Sequence, residues 1–231
     1  MKYSLATYSN LKYQKEQNNL LEYAAGTKLF DSFFTGTEYW LKNSEFYREN
    51  KKILDLERGA GYWLWKPYLI LEAMKTIRDG DIVFYIDCGD MFLKTITSYT
   101  TPILEKECCL LLGGGFLQKD WTKRDCFNYM SCDSKDYLDV IQLEAGVQFW
   151  KKTSKSIQVL EEQIKFCKDH RILTDAPNEC GLPNYMGFKD HRHDQSVLTN
   201  LFVKYQLAVD STKHQTPYNQ MRNYVRCNIT L

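Results

Sequence analysis

Residues 58–90 read RGAGYWLWKPYLILEAMKTIRDGDIVFYIDCGD, and this stretch decides the fold. It holds a glycine-containing loop, an amphipathic helix, a turn, an apolar strand and an acidic tip. Pro67 falls in the first helical turn, where its missing N–H costs little. Leu69, Ile70, Ala73, Met74 and Ile77 recur at helical spacing on one face. Asp79-Gly80 marks a turn. Ile82 to Ile86 is the short, wholly apolar run of a strand covered on both faces. Asp87 and Asp90 follow at once, just beyond a strand's C-terminal end, where an α/β sheet places its ligands.

Working outward, Tyr3–Tyr8 reads as a first strand ending in polar residues. Residues 14–25 read as a helix with Gly26 as its stop signal. Leu29–Phe34 reads as a second strand, and Ser44 as the cap of a helix reaching Leu54. Cys108–Leu112 is a strand halted by Gly113-Gly114-Gly115, and Thr122 with Asp125 opens a helix as a capping-box variant. Val140–Trp150 contains one or two strands around Ala145-Gly146, and Ser154–Lys168 is an amphipathic helix. Asp175–Lys189, with two Pro and two Gly, is a long loop of the kind that carries function. A last helix runs through Val197, Leu201 and Tyr205, and Leu207–Val209 is a final short strand. Strands alternating with helices predict an α/β fold with a mostly parallel central sheet flanked by helices.

The chain has 231 residues and a formal charge of +1. That length suits one domain of roughly 200–250 residues, and the mixed charge leaves no footprint for nucleic acid. The eight cysteines form no C-x-x-C pair and no zinc spacing. They read as free thiols, which points to a reducing compartment. MKYSLATYSN lacks the apolar core of a signal peptide, and no apolar run reaches the ~18–20 residues of a membrane span. The expectation is a soluble, cytoplasmic protein, in the host cytoplasm if viral.

Asp87 and Asp90 suit a hard divalent cation whose other ligands are water and a diphosphate; an equally plain reading is a turn cap and a solvated aspartate. Arg58 and Lys66 flank the glycine loop and Lys123-Arg124 opens a helix, positions that favour phosphate. Glu144 interrupts an apolar segment. Asp194-Gln195 begins a helix, where capping is the bland alternative. His191 and His193, two apart in a loop, are weak evidence for a metal. No G-x-S-x-G, Walker loop or G-x-G-x-x-G is present.

Taken together these pieces resemble nucleotide-sugar-dependent glycosyltransferases of the GT-A fold. The matching order is Ala6-Thr7-Tyr8 on a first strand, a helix bearing Lys66, Phe84-Tyr85-Ile86-Asp87, Glu144-Ala145-Gly146, and the helix DQSVLTN from Asp194 to Asn200. GYWLWKPYLI, WTKRDCF, LEAGVQFWKKT and the run from Ile172 to Leu198 look more specifically like a group of bacterial and viral glycosyltransferase-like proteins. The resemblance implies one GT-A (Rossmann-like) domain over 1–231, with a nucleotide-binding part at about 1–112 and an acceptor-side part at about 113–231. It implies transfer of a sugar from a UDP- or GDP-sugar to a glycan or other hydroxyl acceptor, as in polysaccharide biosynthesis, with Mn²⁺ or Mg²⁺ as cofactor. Ala6, Thr7, Tyr8, Arg58, Lys66, Asp87, Lys123, Arg124 and Gln195 would hold the donor. Asp194 and Glu144 would be catalytic, and Asp87, Asp90 and His214 would bind the metal. The chain departs from the family's D-x-D pattern, since Gly89 stands two residues after Asp87 and the second acid is Asp90. That offset keeps open a catalytically silent glycan- or nucleotide-binding module; a separate alternative is a nucleotide-sugar hydrolase, in which water replaces the acceptor.

Overall fold

The computed structural model describes residues 1–207. In chain order the strands are β1 (Tyr3–Ser9), β2 (Ser32–Thr37), β3 (Ile82–Ile86), β4 (Cys109–Leu117) and β5 (Ile141–Lys151). The helices are α1 (Gln14–Thr27), α2 (Glu38–Lys42), α3 (Glu45–Leu54), the irregular turn α4 (Gly59–Tyr62), α5 (Trp65–Lys75), α6 (Ile96–Leu104), α7 (Arg124–Tyr129), α8 (Lys135–Leu138), α9 (Ser154–Cys167), α10 (His170–Leu173) and α11 (His193–Lys204). The sheet order is β2-β1-β3-β5-β4. β1 is parallel to β2 and to β3, whereas β5 runs antiparallel to both its neighbours. Four strands therefore share one direction and β5 opposes them. This is the mostly parallel, helix-flanked sheet that the alternation of elements predicts.

The pleat sends successive residues of β3 into different cores. Val83 and Tyr85 join Leu69, Ile70 and Met74 of α5, with α9 and α11 behind them. Ile82, Phe84 and Ile86 join Leu20 and Ala24 of α1 and Ile96 of α6. β5 breaks this alternation. Leu143 and Ala145 belong to the first core, and Val147 and Phe149 to the second. The strand changes face at Gly146, whose carbonyl accepts the Asp87 N–H at 2.8 Å.

Several boundaries differ from the sequence reading for identifiable reasons. α1 continues through Gly26 and ends at Lys28, which takes the left-handed conformation (φ 57°). β2 begins three residues later than Leu29, because its register is set by pairing with β1 from Ser4 to Ser9; Phe30 packs on Phe84 instead. β4 runs past the glycine triplet to Leu117 by way of register shifts between Leu111 and Gly113 and again before Leu117. Val140–Trp150 resolves into one strand. Ser44 caps α3 as expected, accepting the Tyr47 N–H at 3.0 Å. Thr122 and Asp125 form no capping box: the Thr122 hydroxyl bonds Ser196 Oγ at 2.9 Å, and Asp125 accepts the N–H groups of Glu179 and Cys180 at 2.8 and 2.9 Å. The carboxylate is spent on the long loop. The final strand expected at Leu207–Val209 lies largely outside the described residues, as do His214 and Cys227. Cys88, Cys108, Cys109, Cys126, Cys132, Cys167 and Cys180 are free thiols. No described helix is long and apolar enough to cross a membrane.

The segment before α5 winds the wrong way. Gly59, Ala60, Gly61, Tyr62 and Trp63 all have positive φ, although a left-handed turn costs a residue with a Cβ about 1–2 kcal/mol. At Gly61 (φ 95°) a Cβ would meet the Leu54 backbone at 2.6 Å. Gly61→Ala should therefore lower unfolding free energy by more than about 1 kcal/mol. Gly26→Ala, inside a helix with nothing within 4 Å of the added methyl, should raise it by roughly 0.5–1 kcal/mol. Urea titration of the two variants tests both signs.

Candidate functional site

A cleft of about 660 Å³ opens beyond the C-terminal ends of β1 and β3. Its walls are Tyr8, Ser9 and Asn10 from β1 and its exit, Arg58 and Trp63 from the left-handed segment, and Asp87 from the tip of β3. Tyr8 stacks on Trp65 with ring centroids 4.0 Å apart and 27° between planes. Burial, and then Glu38, pushes the Tyr8 hydroxyl above its ordinary pKa, so the phenol stays neutral.

Beneath the cleft lies a buried charge array. Lys66, in the first turn of α5, is 2% exposed. Its Nζ stands 3.3 Å from Asp87 Oδ1 and 3.5 Å from Asp194 Oδ2, and donates to the Ala145 carbonyl at 3.1 Å. It also lies 5.2 Å from the centre of the Tyr85 ring, whose hydroxyl donates to Asp87 Oδ1. Burial presses the ammonium toward deprotonation, but Asp194 and Asp87 outweigh it and hold Lys66 above its ordinary value. Asp194 is 3% exposed. Burial pushes its carboxyl up to about 6, Lys66 restraining the rise and Asp87 adding to it. A carboxyl poised near neutrality beside a cleft is the kind of group that acid–base chemistry uses.

The flank of the cleft is clasped. Arg58 donates to Asp175 Oδ2 at 2.8 Å and to Asp190 Oδ2 at 3.2 Å, and the Tyr62 hydroxyl donates to Asp175 at 3.0 Å. His193 stacks on Trp63 at 5.5 Å. Its Nδ1 bonds the Leu173 carbonyl at 2.9 Å and its Nε2 stands 3.8 Å from Asp175. Burial depresses the pKa of His193 and, more strongly, of His191. His191 Nδ1 accepts the Lys123 N–H at 3.3 Å, and its Nε2 bonds the Ile172 carbonyl at 2.8 Å, an arrangement that fits a neutral ring.

The structure thus brings Tyr8, Arg58 and Asp87 to the cleft and sets Lys66 and Asp194 under it. Ala6 and Thr7 are buried within β1. Gln195 accepts the Ala145 N–H at 3.2 Å and donates to Gln142 Oε1 at 2.8 Å, so it braces β5. Glu144 is buried on β5 beside Ala145. Lys123 and Arg124 are not among the cleft walls. Lys123 Nζ donates to the Ala176 and Thr174 carbonyls at 2.6 and 3.3 Å. Arg124 grips Asp133 at 2.9–3.0 Å and packs 4.0 Å from the Tyr185 ring centre. Both serve the long loop. Asp90 bonds back through its N–H to the Asp87 carbonyl at 2.9 Å, closing a turn. Asp175, Asp190, Tyr62 and Trp65 join the site without being foreseen, and the length of the 175–189 loop pointed to Asp175 alone.

The resemblance implies Mn²⁺ or Mg²⁺ at Asp87, Asp90 and His214, the last of which lies outside the described residues. Among the described residues no group of three or more His, Cys, Asp or Glu comes together to hold a metal ion. Asp87 Oδ1 already faces an ammonium at 3.3 Å.

No family model matches the sequence, and no curated protein matches it. Among solved structures, the chain is similar to a glycosyltransferase involved in the glycosylation of the major capsid of PBCV-1, at 7% identity and TM-score 0.35, over 72% of this chain and 66% of that one. The chain thus spans just under two thirds of that protein's length. It is also similar to mouse xyloside xylosyltransferase 1 in its apo form, at 8% identity and TM-score 0.49, over 98% of this chain and 94% of that one. With identities under a tenth and TM-scores below 0.5, neither likeness bears on the chemistry of this site.

Two consequences follow from the buried array. Lys66→Met strands Asp194 without its cation and should cost roughly 3–5 kcal/mol. The sign for Asp194 itself is the reverse of the usual carboxylate. Its folded pKa of about 6 lies above the ordinary 3.8, so its contribution is most favourable below the lower value and is lost as pH rises through the upper one. At about 1.4 kcal/mol per pKa unit, the loss is roughly 3 kcal/mol. Asp194→Asn should therefore gain stability relative to the parent as pH rises from about 4 to 6, by chemical denaturation at each pH. A constant difference across that window would remove Asp194 from the array.

Proposed function

We propose that the chain transfers a sugar from a nucleoside-diphosphate sugar to a hydroxyl acceptor, the donor lying in the cleft. The observation that carries this reading is the Lys66 ammonium held between Asp87 and Asp194 at the tip of β3. It coincides with the strand-tip acid and the D-Q helix on which the sequence resemblance rests. Cleavage of the bond between the anomeric carbon and the diphosphate oxygen leaves positive character on the sugar and negative charge on the leaving group. Positive groups already fixed near that oxygen stabilise the developing charge without reorganising.

Arg58, on the cleft wall, takes the diphosphate in this reading, exchanging one of its two carboxylate partners for phosphate. The Tyr8–Trp65 stack walls the nucleoside end. Lys66, buried and fully engaged, positions Asp87 toward the donor and Asp194 behind it. Asp194, titrating near 6, is the group that handles the proton of the acceptor hydroxyl. No step is assigned to a metal or to Glu144, Lys123, Arg124 or Asp90.

A thermal-shift panel of UDP- and GDP-sugars, each with and without Mn²⁺, tests the proposal. The expected result is a rise in melting temperature with one nucleotide class, abolished by Asp87→Ala and by Tyr8→Ala. No rise with any nucleotide-sugar would sink it. A rise that requires Mn²⁺ would return Asp87 and Asp90 to a metal carried in with the diphosphate. Asp194→Asn should retain the donor-induced shift yet lower turnover by about 10²–10⁴-fold.

A further inference from the structure

Cys108 and Cys109 stand side by side where β4 begins, at the end of the sheet away from the cleft. The ladder fixes this position. Cys109 lies opposite Trp150, and the Cys108 carbonyl accepts the Lys151 N–H at 2.9 Å. Lys151 in turn pairs with Ile82, the first residue of β3, whereas the cleft opens past its last.

Adjacent side chains in a regular strand point to opposite faces. At this strand entry they do not diverge: the two sulfurs are 3.8 Å apart. Two thiolates held by bonds of about 2.3 Å to one pyramidal trivalent centre, whose angles are narrower than tetrahedral, stand roughly 3.3 Å apart. The pair is therefore within a small side-chain rotation of chelating one such thiophilic atom. Cys109 is 8% exposed and Cys108 is half-buried, so one sulfur is open to approach and the other sits behind it. The Cys109 thiol, against the opposing effect of burial and with help from Lys155, brings Cys108 down to about 7, while Cys109 is pushed well up. Glu107 also faces the pair and works against the thiolate.

No group of three or more ligating side chains forms among the described residues. The protein thus offers this centre two sulfurs, whereas a structural zinc needs four ligands. Trivalent arsenic already bearing one organic group is satisfied by two. We propose that Cys108 and Cys109 form a dithiol site for one soft, thiophilic centre of the trivalent organoarsenical class. An oxide R–As=O condenses with both thiols: two As–S bonds form, the oxygen leaves as water with the two thiol protons, and arsenic stays trivalent.

The probe is phenylarsine oxide, added to the reduced full-length chain and followed by intact mass and peptide mapping. The expected product is one phenylarsenic unit per chain, located on the peptide containing residues 108 and 109. It should survive excess 2-mercaptoethanol and come off with 2,3-dimercaptopropanol. Cys108→Ser and Cys109→Ser should each lose the monothiol-resistant adduct, whereas Cys88→Ser and Cys180→Ser keep it. An adduct mapped to another peptide, or displaced by the monothiol, overturns the assignment even if the serine variants fail to fold. The site lies at the opposite end of the sheet, so its failure and that of the sugar-transfer reading are separately visible.

Discussion

One buried ammonium ties the parts of this chain together. Lys66 comes from α5, Asp87 from the tip of β3, Asp194 from α11 and the Ala145 carbonyl from β5, so four elements converge on a single nitrogen. A charge this deep is tolerated only with partners in place, and removing one leaves another uncompensated. The geometry of the strand tip, the start of α11 and the kink of β5 is therefore set jointly. The kink has its own reason. By changing face at Gly146, β5 frees the Ala145 carbonyl, which also accepts Gln148 Nε2 at 2.8 Å, and puts the Gly146 carbonyl in reach of Asp87.

Periodicity made the scaffold legible. The five apolar residues of β3 and the spacing of α5 are consequences of a sheet covered on both faces, and they give the type and place in the chain of these two elements without knowledge of any long-range contact. Local caps were read less well. Ser44 behaved as its type suggests, but Thr122 and Asp125 were claimed by partners 74 and 54 or 55 residues away, which no window of neighbouring residues reveals. The glycine triplet misled for a related reason: a bulged edge strand uses glycine to bend, whereas in sequence the same residues look like a stop.

The site was half legible. Asp87 stands out because it closes an apolar strand, and Asp194 because it opens the D-Q helix on which the resemblance rests. Lys66 stood out only as a charge beside a glycine loop, and nothing local shows that its stem runs into the core. Lys123 and Arg124 illustrate the converse. Two cations opening a helix suit phosphate in sequence, yet here carbonyls of the 174–189 loop and the Asp133 carboxylate absorb them. The difference lies in partners that the fold supplies, and these residues alone do not disclose it.

The clasp of Arg58 on Asp175 and Asp190 spans 117 and 132 positions of chain. Arg58 and the mirror-wound segment after it are made early, as the chain leaves the ribosome, but the carboxylates that hold them are made 117 and 132 residues later. An ordering entropy that large is repaid only when distant segments meet. The Arg58 wall of the cleft thus depends on distant chain, and a nascent chain stopped short of Asp175 carries the cleft's residues without the pair that fastens its flank.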